Sequence, residues 1–139
     1  LADIDDVLAF ALPTHATGWD AEQGFSWDGT GCRTDCSWFG FKIAIKSDAP
    51  FCRNELAQEL DRHNIGNRML FGGNLLRQPA FFQLRDDRPK AVRVAGELEG
   101  SDEIMNTALF LGTFPGLTTT MLQTEINVIN QLARNKKAC

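Results

Sequence analysis

The sequence predicts an α+β domain, in which a small and mostly antiparallel sheet carries helices on one face. Residues 38–46 alternate with the period of a strand, whereas residues 53–64 and 119–137 repeat apolar side chains at helical spacing. The resulting order of strand, helix, strand, helix, strand and helix is typical of this fold class. A chain of 139 residues is long enough for one such core.

Composition and charge exclude several classes of protein. The apolar share of 43% is that of a globular chain, which excludes global disorder. The formal net charge of −4 argues against nucleic-acid binding, because a surface that follows phosphates is usually basic. No apolar run approaches the roughly 20 residues of a membrane helix, and no signal peptide is visible. A cytoplasmic protein without membrane contact is therefore expected.

The first 36 residues are predicted to be a linker, with an entry helix followed by a long loop. Ile4, Val7 and Leu8 lie at helical spacing within residues 1–10, which indicates the end of a longer helix. Residues 9–12 favour a short strand. Residues 13–35 are rich in Gly, Thr and Asp and predict a long connection, whose aromatic residues would be buried against another domain. Because the chain begins with Leu rather than Met, we expect a fragment or a processed product.

The predicted elements continue with the strand over residues 38–46 and a helix over residues 53–64. That helix begins with part of a capping box, in which Cys52 occupies the cap and Glu55 follows three residues later. A second strand over residues 67–71 follows the helix.

The last third of the chain contains a charged loop, two helices and a strand. Residues 85–90 are predicted to be a solvated loop tip, and Ser101 to cap a short helix that begins with Asp102. A strand over residues 109–114 ends at a Pro-Gly pair. The last helix begins at residue 118 or 119. Its apolar face is predicted to consist of Leu122, Ile126, Ile129 and Leu132 or Ala133.

The candidate site lies in residues 65–81. A strand delivers Phe71 to Gly72 and Gly73, a pair that allows backbone conformations forbidden to residues with a Cβ. An aromatic residue on a loop loosened by glycines is a common arrangement in binding sites. A surface turn without function is the alternative.

Three strong hydrogen-bonding side chains follow the glycines, namely Asn74, Arg77 and Gln78. Pro79 is predicted to stop any regular element after them. The sequence thus places a polar cluster next to Phe71, as a site for a small polar ligand requires.

The cysteines do not predict a metal site. Cys32 and Cys36 are separated by three residues, and a zinc or iron–sulfur site would need two more ligands nearby. Cys52 and His63 are candidates, but the helix between them keeps them apart. Free thiols, including Cys139, are the expected state in a cytosolic protein.

Four segments in order resemble one known family. They are SWFGF at residues 37–41, GNRMLFGGNLLRQPAF at 66–81, VRVAGEL at 92–98 and FPGLT at 114–118. These segments are similar to the C-terminal part of sugar-nucleotide 3-dehydrases in the DegT/DnrJ/EryC1/StrS family of pyridoxal-phosphate-type sugar aminotransferases. The resemblance covers residues 37–139. It implies that residues 18–36 are a loop insertion, because the family usually has a shorter segment there.

The resemblance implies a fold and a domain organisation. Residues 37–139 would form the C-terminal small domain of a fold-type-I enzyme that depends on pyridoxal phosphate (PLP) or its pyridoxamine form (PMP). The cofactor would be bound mainly by a large N-terminal domain outside this chain. No catalytic residue and no metal ligand is therefore expected here, and the fragment alone would be inactive.

The resemblance also implies which residues approach the ligand. Phe71 would lie nearest the cofactor, since related dehydrases carry an aromatic residue at the matching position. Gly72 and Gly73 would allow a close approach of the backbone, and Asn74 and Arg77 would bind the hexose or its diphosphate. To these we add Gln78. Arg68, on the strand before the loop, is expected to pair with an acidic residue of the same chain.

The implied reaction is loss of the C3 hydroxyl of a nucleotide-linked 4-keto-6-deoxyhexose, in the synthesis of deoxysugars for lipopolysaccharide. Members act as homodimers, and their cofactor is regenerated by glutamate or by an iron–sulfur reductase. A [2Fe-2S] cluster would then lie outside this chain. Two alternatives remain open. One is a sugar aminotransferase of the same family, against which the Phe-Gly-Gly-Asn sequence argues because aminotransferases usually have a Pro-Leu-His type motif there. The other is a free-standing module that binds a small molecule.

Overall fold

The structure is a computed structural model that describes residues 4–20 and 22–137. The first three residues of the predicted linker helix, and Cys139, lie outside the described residues. The described residues form a four-stranded antiparallel sheet in the order β1-β4-β6-β5 and a separate ribbon of β2 and β3. The strands are β1 Leu8–Phe10, β2 Ala16–Asp20, β3 Gly24–Trp27, β4 Gly40–Ile45, β5 Asn67–Met69 and β6 Ala108–Gly112. The helices are α1 Arg53–Arg62, α2 Pro79–Asp87, α3 Glu99–Thr107 and α4 Thr119–Lys137, with 3₁₀ turns at Leu75–Arg77 and Pro89–Ala91.

The core lies between one face of the four-stranded sheet and the helices α1 and α4. Alternate residues of β4 and β6 point to this face, because side chains along a strand alternate between the two faces. Each fully buried Leu or Ile contributes roughly 1.5–3 kcal/mol through its removal from water. The largest fully buried side chains are Leu8, Ile43, Leu56, Leu60, Leu109 and Ile129. The predicted α+β class, with an antiparallel sheet and helices on one face, is confirmed.

The predicted helix over residues 1–10 is wrong for its described part. Leu8 pairs with Ile45 and Phe10 with Ile43, so the segment is an edge strand of the sheet. Ile4 and Val7 are buried because they close a turn before this strand, with Val7 N donating to the Ile4 carbonyl at 3.1 Å. A turn followed by a strand thus produced the same apolar spacing as a helix. The short strand expected over residues 9–12 is present, one residue earlier.

Residues 13–35, predicted to be a long connection, include regular secondary structure. They contain the β2–β3 ribbon, whose turn is held by the Asp20 carboxylate, which accepts hydrogen bonds from Glu22 N at 2.8 Å and Gln23 N at 2.9 Å. Both bonds lower the pKa of Asp20, and the bond from Gln23 has the larger effect. Trp19 is 58% exposed in the described part of the chain, so its expected burial against another domain stays a prediction.

The helix α1 begins where the sequence predicts it, with the Glu55 carboxylate accepting a hydrogen bond from Cys52 N at 2.9 Å. The prediction for Pro79 is wrong, since this residue begins α2. Proline suits the first position of a helix because the donor that it lacks has no partner there. The helix continues to Asp87, so the predicted loop tip begins later than residue 85.

The remaining boundaries differ slightly from the predictions. The helix α3 begins at Glu99 rather than after Ser101, and β6 ends at Gly112. The helix α4 begins at Thr119. On its predicted apolar face Ile129 and Ala133 are buried, but Leu122 is 43% exposed. No helix in the described part of the chain combines the length and the apolar character that a membrane crossing requires.

Candidate functional site

The loop between β5 and α2 has an unusual backbone at Phe71. This residue has a φ of 52°, in the left-handed region that residues with a Cβ seldom occupy. Its ring is 76% exposed, so the conformation does not serve to bury the side chain. A bulky residue held in this region outside the core is a feature of functional loops.

The loop lies against α3 at a position that only glycine can fill. Gly73 has a φ of 59°, and a Cβ added to it would lie 2.5 Å from the side chain of Met105 on α3. Real Cβ atoms do not come that close to a neighbouring carbon. Gly73 therefore sets how closely the loop approaches α3.

Asn74 stabilises the loop through hydrogen bonds of its side chain. It is the buried polar residue of the described chain, 5% exposed, and its Oδ1 accepts a hydrogen bond from Leu76 N at 3.1 Å. This bond caps the 3₁₀ turn that follows. Its Nδ2 donates to Asp102 Oδ1 on α3 at 2.8 Å.

Arg77 binds the same carboxylate through two nitrogens. Nε donates to Asp102 Oδ1 at 2.5 Å and Nη2 to Oδ2 at 2.6 Å. The bonds from Arg77 and then from Asn74 lower the pKa of Asp102 to about 2, and the carboxylate in turn raises the pKa of Arg77. Bidentate pairs of this kind are the strong form of the arginine–carboxylate interaction. Two of the predicted ligand-binding side chains thus hold the loop on α3.

Gln78 closes the loop on the other side. Its Nε2 donates to the Gly72 carbonyl at 2.8 Å, which joins the two ends of residues 72–78. A cavity of about 340 Å³ opens beside this bond. Its lining includes four predicted residues, Phe71, Gly72, Gly73 and Gln78, together with Arg53 and Met105.

Sequence reasoning missed Arg53 and Asp102 as parts of this region. Arg53, at the start of α1, donates from Nη1 to the Met105 carbonyl and so joins α1 to α3 at the cavity. Asp102 was predicted to lie at the start of a short helix, with no side-chain partner assigned to it. No local pattern signals either contact, since the partners lie 52 and 25 or more residues away in the chain.

The ring of Phe71 belongs to an aromatic cluster that the sequence did not predict. Phe39, Phe71 and Phe110 have ring centroids 5.6–6.3 Å apart, and the rings of Phe39 and Phe71 are nearly parallel at 22°. Phe39 is 78% exposed. We call these three rings the aromatic surface. The sheet register could have indicated Phe110, which lies on the face opposite to the core residues Leu109 and Leu111.

Two cations flank the aromatic surface. Lys42 on β4 and Arg68 on β5 are the register partners of Phe110 on β6, so all three side chains leave the sheet on one face. The expected ion pair of Arg68 is not formed: it donates to the neighbouring Asn67 carbonyl at 3.2 Å. Among the described residues, no acidic side chain lies within ion-pair distance of Lys42 or Arg68.

The cysteines lie away from this region. Cys32, Cys36 and Cys52 are free thiols. Within residues 4–20 and 22–137, no group of three or more His, Cys, Asp and Glu side chains is arranged to hold a metal ion.

Comparison with known proteins assigns the family. A sequence model of the DegT/DnrJ/EryC1/StrS aminotransferase family matches residues 20–132. The chain belongs to this family. The resemblance of its four sequence segments is thereby confirmed, and the match begins before the first of them, at residue 20.

Two relatives of this family member share nearly half of the aligned residues. The chain is 46% identical over 90 residues to the lipopolysaccharide biosynthesis protein RfbH of Salmonella typhimurium. It is 44% identical over 89 residues to the dTDP-4-dehydro-2,6-dideoxy-D-glucose 3-dehydratase of Saccharopolyspora spinosa. These alignments cover 65% and 64% of this chain but only 19% and 18% of the relatives, so the match spans about a fifth of their length.

A solved structure shows the same fold. The GDP-4-keto-6-deoxy-D-mannose-3-dehydratase of E. coli, solved with bound hydrated PLP, superposes with a TM-score of 0.61. The superposition covers 88% of this chain and 25% of that protein, at 21% sequence identity. This family member therefore shares its α+β fold with part of that protein.

Proposed function

We propose that residues 37–139 are the C-terminal domain of a nucleotide-sugar 3-dehydrase that depends on PLP or PMP, with residues 1–36 as linker and insertion. The substrate class is an NDP-4-keto-6-deoxyhexose, from which the C3 hydroxyl is removed in deoxysugar or lipopolysaccharide biosynthesis. The observation that carries the proposal is the identity of 44–46% to RfbH and to a 3-dehydratase.

The residues present fit one wall of a cofactor site and not its phosphate cradle. A phosphate needs several unpaired backbone amides or hydroxyls in one place. The polar side chains around the 340 Å³ cavity are instead engaged with the protein, Gln78 with the Gly72 carbonyl and Arg53 with the Met105 carbonyl. The groups that hold the cofactor would therefore belong to a large domain that precedes this chain. When bound, the cofactor supplies an amine and an electron sink for elimination.

The role of this chain would be to shape the cofactor site and to exclude water from it. Phe71 would offer an exposed ring toward the cofactor, and Gly72 leaves the adjacent backbone free of side-chain bulk. Arg77 keeps Nη1 for a substrate oxygen while Asp102 holds its other nitrogens. Asn74 and Gln78 orient the loop that carries these groups.

The overall reaction defines the partners. Replacement of a C3–OH bond by a C3–H bond is a two-electron reduction with release of the oxygen as water. The electrons would come from glutamate or from an iron–sulfur reductase, whose [2Fe-2S] cluster would lie outside this chain. The full-length enzyme would act as a cytoplasmic homodimer, and the isolated fragment would be inactive.

A sugar aminotransferase is the second candidate, favoured by the family name of the matching model. It differs from the dehydrase in holding its cofactor on a lysine. The experiment is an absorbance spectrum of a full-length protein that carries this sequence, loaded with cofactor, before and after borohydride and dialysis. Cofactor that is removed after reduction, with a product lacking the C3 oxygen, supports the dehydrase.

Each other outcome has one meaning. Cofactor that borohydride fixes covalently would show that the protein holds it on a lysine, and the aminotransferase would then be the function. A protein that binds no cofactor would instead be a free-standing binding module.

A further inference from the structure

The aromatic surface is anchored in the sheet by Phe110, which lies on β6 and contacts the rings of Phe39 and Phe71. A Cβ on Gly40 would overlap the ring of Phe110, so this ring lies across β4 only because residue 40 is glycine. Gly112, the register partner of Gly40, has open space above it. The position of the Phe110 ring therefore requires glycine at residue 40 but not at residue 112.

Two of the three rings are largely exposed, Phe39 just before β4 at 78% and Phe71 after the end of β5 at 76%, whereas Phe110 on β6 is half-buried. The opposite face of the sheet is covered by α1 and α4. Clustered aromatic rings that remain exposed on a protein surface mark a binding site. Nucleobases stack on aromatic side chains, and the strength of this stacking depends little on which base is bound.

The charges beside the rings suit an anion. Lys42 and Arg68 lie on either side of Phe110 in one row across three strands, and neither is neutralised by a described acidic residue. Arg77, by contrast, is paired with Asp102 through two nitrogens. Lys42 and Arg68 are therefore better placed than Arg77 to bind a diphosphate.

We propose that Phe39 and Phe110 of the aromatic surface, with the flanking cations Lys42 and Arg68, bind the nucleoside diphosphate part of the sugar nucleotide, while Phe71 faces the cofactor. The base stacks on the rings of Phe39 and Phe110, and the diphosphate lies toward the cations. This inference rests on the proposed function for the identity of the ligand. It assigns the nucleotide to the open face of the sheet, next to the loop that carries Phe71.

The experiment is calorimetric titration of the 139-residue chain with GDP, dTDP, guanosine and inorganic pyrophosphate. GDP and dTDP should bind with affinities within a few fold of each other, because stacking tolerates either base. Removal of the charges in K42Q/R68Q should weaken GDP binding roughly tenfold and leave guanosine binding unchanged. Phe39→Ala should weaken both GDP and guanosine roughly tenfold, because it removes a stacking surface.

A matched control pair lies elsewhere on the chain. Phe82 on α2 is 49% exposed and carries the guanidinium of Arg85 at 4.7 Å from its ring centroid, so it is also an exposed aromatic residue beside a cation. Phe82→Ala and Arg85→Gln should leave binding of all four compounds unchanged. Circular dichroism of each variant shows whether it is folded.

Three results would overturn the inference: no GDP binding at millimolar concentration, equal losses in the control pair, or self-association that Phe39→Ala abolishes while GDP has no effect. The last result would make the aromatic surface a protein contact. The borohydride and product assays on the full-length protein test the proposed function separately. Dehydrase activity without GDP binding by this chain would reject only the inference, and GDP binding without cofactor binding would reject only the proposed function.

Discussion

Asp102 holds the guanidinium of Arg77 by two hydrogen bonds of 2.5 and 2.6 Å, across 25 residues of sequence. The same carboxylate accepts a hydrogen bond from the buried Asn74. One side chain of α3 thereby fixes both ends of the 3₁₀ turn Leu75–Arg77, directly after the strained Phe71. The geometry of the candidate site is therefore decided by a residue outside the segment that carries it.

The carboxylate of Asp102 should make the order of this loop depend on pH. Its pKa in the folded chain is about 2, against an ordinary value of 3.8. A lowered carboxyl pKa contributes stability that is present above the ordinary value and is lost as the pH falls toward the folded value. The protection of the Leu76 amide, which donates to Asn74, should thus decrease between pH 4 and pH 2 when measured by hydrogen exchange and corrected for the intrinsic rate.

The variant Asp102→Asn isolates this effect from the titration of other carboxylates. It should show low protection of Leu76 already at neutral pH and no further loss between pH 4 and pH 2. The amides of β6 in the core provide the internal reference, because they should remain protected in both proteins. Equal pH profiles of the two proteins at Leu76 would show that Asp102 does not hold the loop.

Gly73→Ala should destabilise the fold by about 1–3 kcal/mol, because the added Cβ would meet Met105 and the left-handed backbone disfavours it. Gly66→Ala is the matched control, since nothing lies within 4 Å of its added Cβ. That control should stay within about 0.5 kcal/mol of the parent. Urea unfolding measures both, and equal midpoints would refute the contact between the loop and α3.

Phe71→Ala should separate function from stability. Because the ring is 76% exposed, its loss should change the free energy of unfolding by less than about 1 kcal/mol. In the full-length enzyme the same change should lower kcat roughly tenfold if the ring forms a wall of the site. Leu109→Ala, a fully buried reference, should cost about 2–5 kcal/mol. A similar cost for Phe71→Ala would identify its ring as core packing instead.

Gly40→Ala should displace the ring of Phe110 from its place over β4. Overpacking of this kind costs about 1–3 kcal/mol in well-packed sites. Gly112→Ala adds the same methyl group on the partner strand, where there is open space, and should stay within about 0.5 kcal/mol. The two variants differ only in which side of one residue pair is filled. A thermal or urea melt that ranks them in the opposite order would contradict the described position of the ring.

Local patterns were sufficient where one element explains them. The strand β4 and the helix α1 lie where alternation and helical spacing predicted them, and Glu55 closes the predicted half of the capping box. The family resemblance was also carried by contiguous residues. Patterns failed at residues 4–10, because the burial of Ile4, Val7 and Leu8 arises from a turn and an edge strand that β4 stabilises from 33 or more residues away.

Residue types in the candidate loop were visible in the sequence, but their partners were not. An irregular polar loop is predicted by the sequence Phe-Gly-Gly-Asn at residues 71–74, because glycine allows backbone conformations that other residues avoid. Whether Arg77 meets a substrate or Asp102 depends on where α3 lies, and whether Phe71 joins other rings depends on the register of β5 against β6. Long-range contacts of this kind have no local signature, since they are decided by how the elements assemble around a shared core.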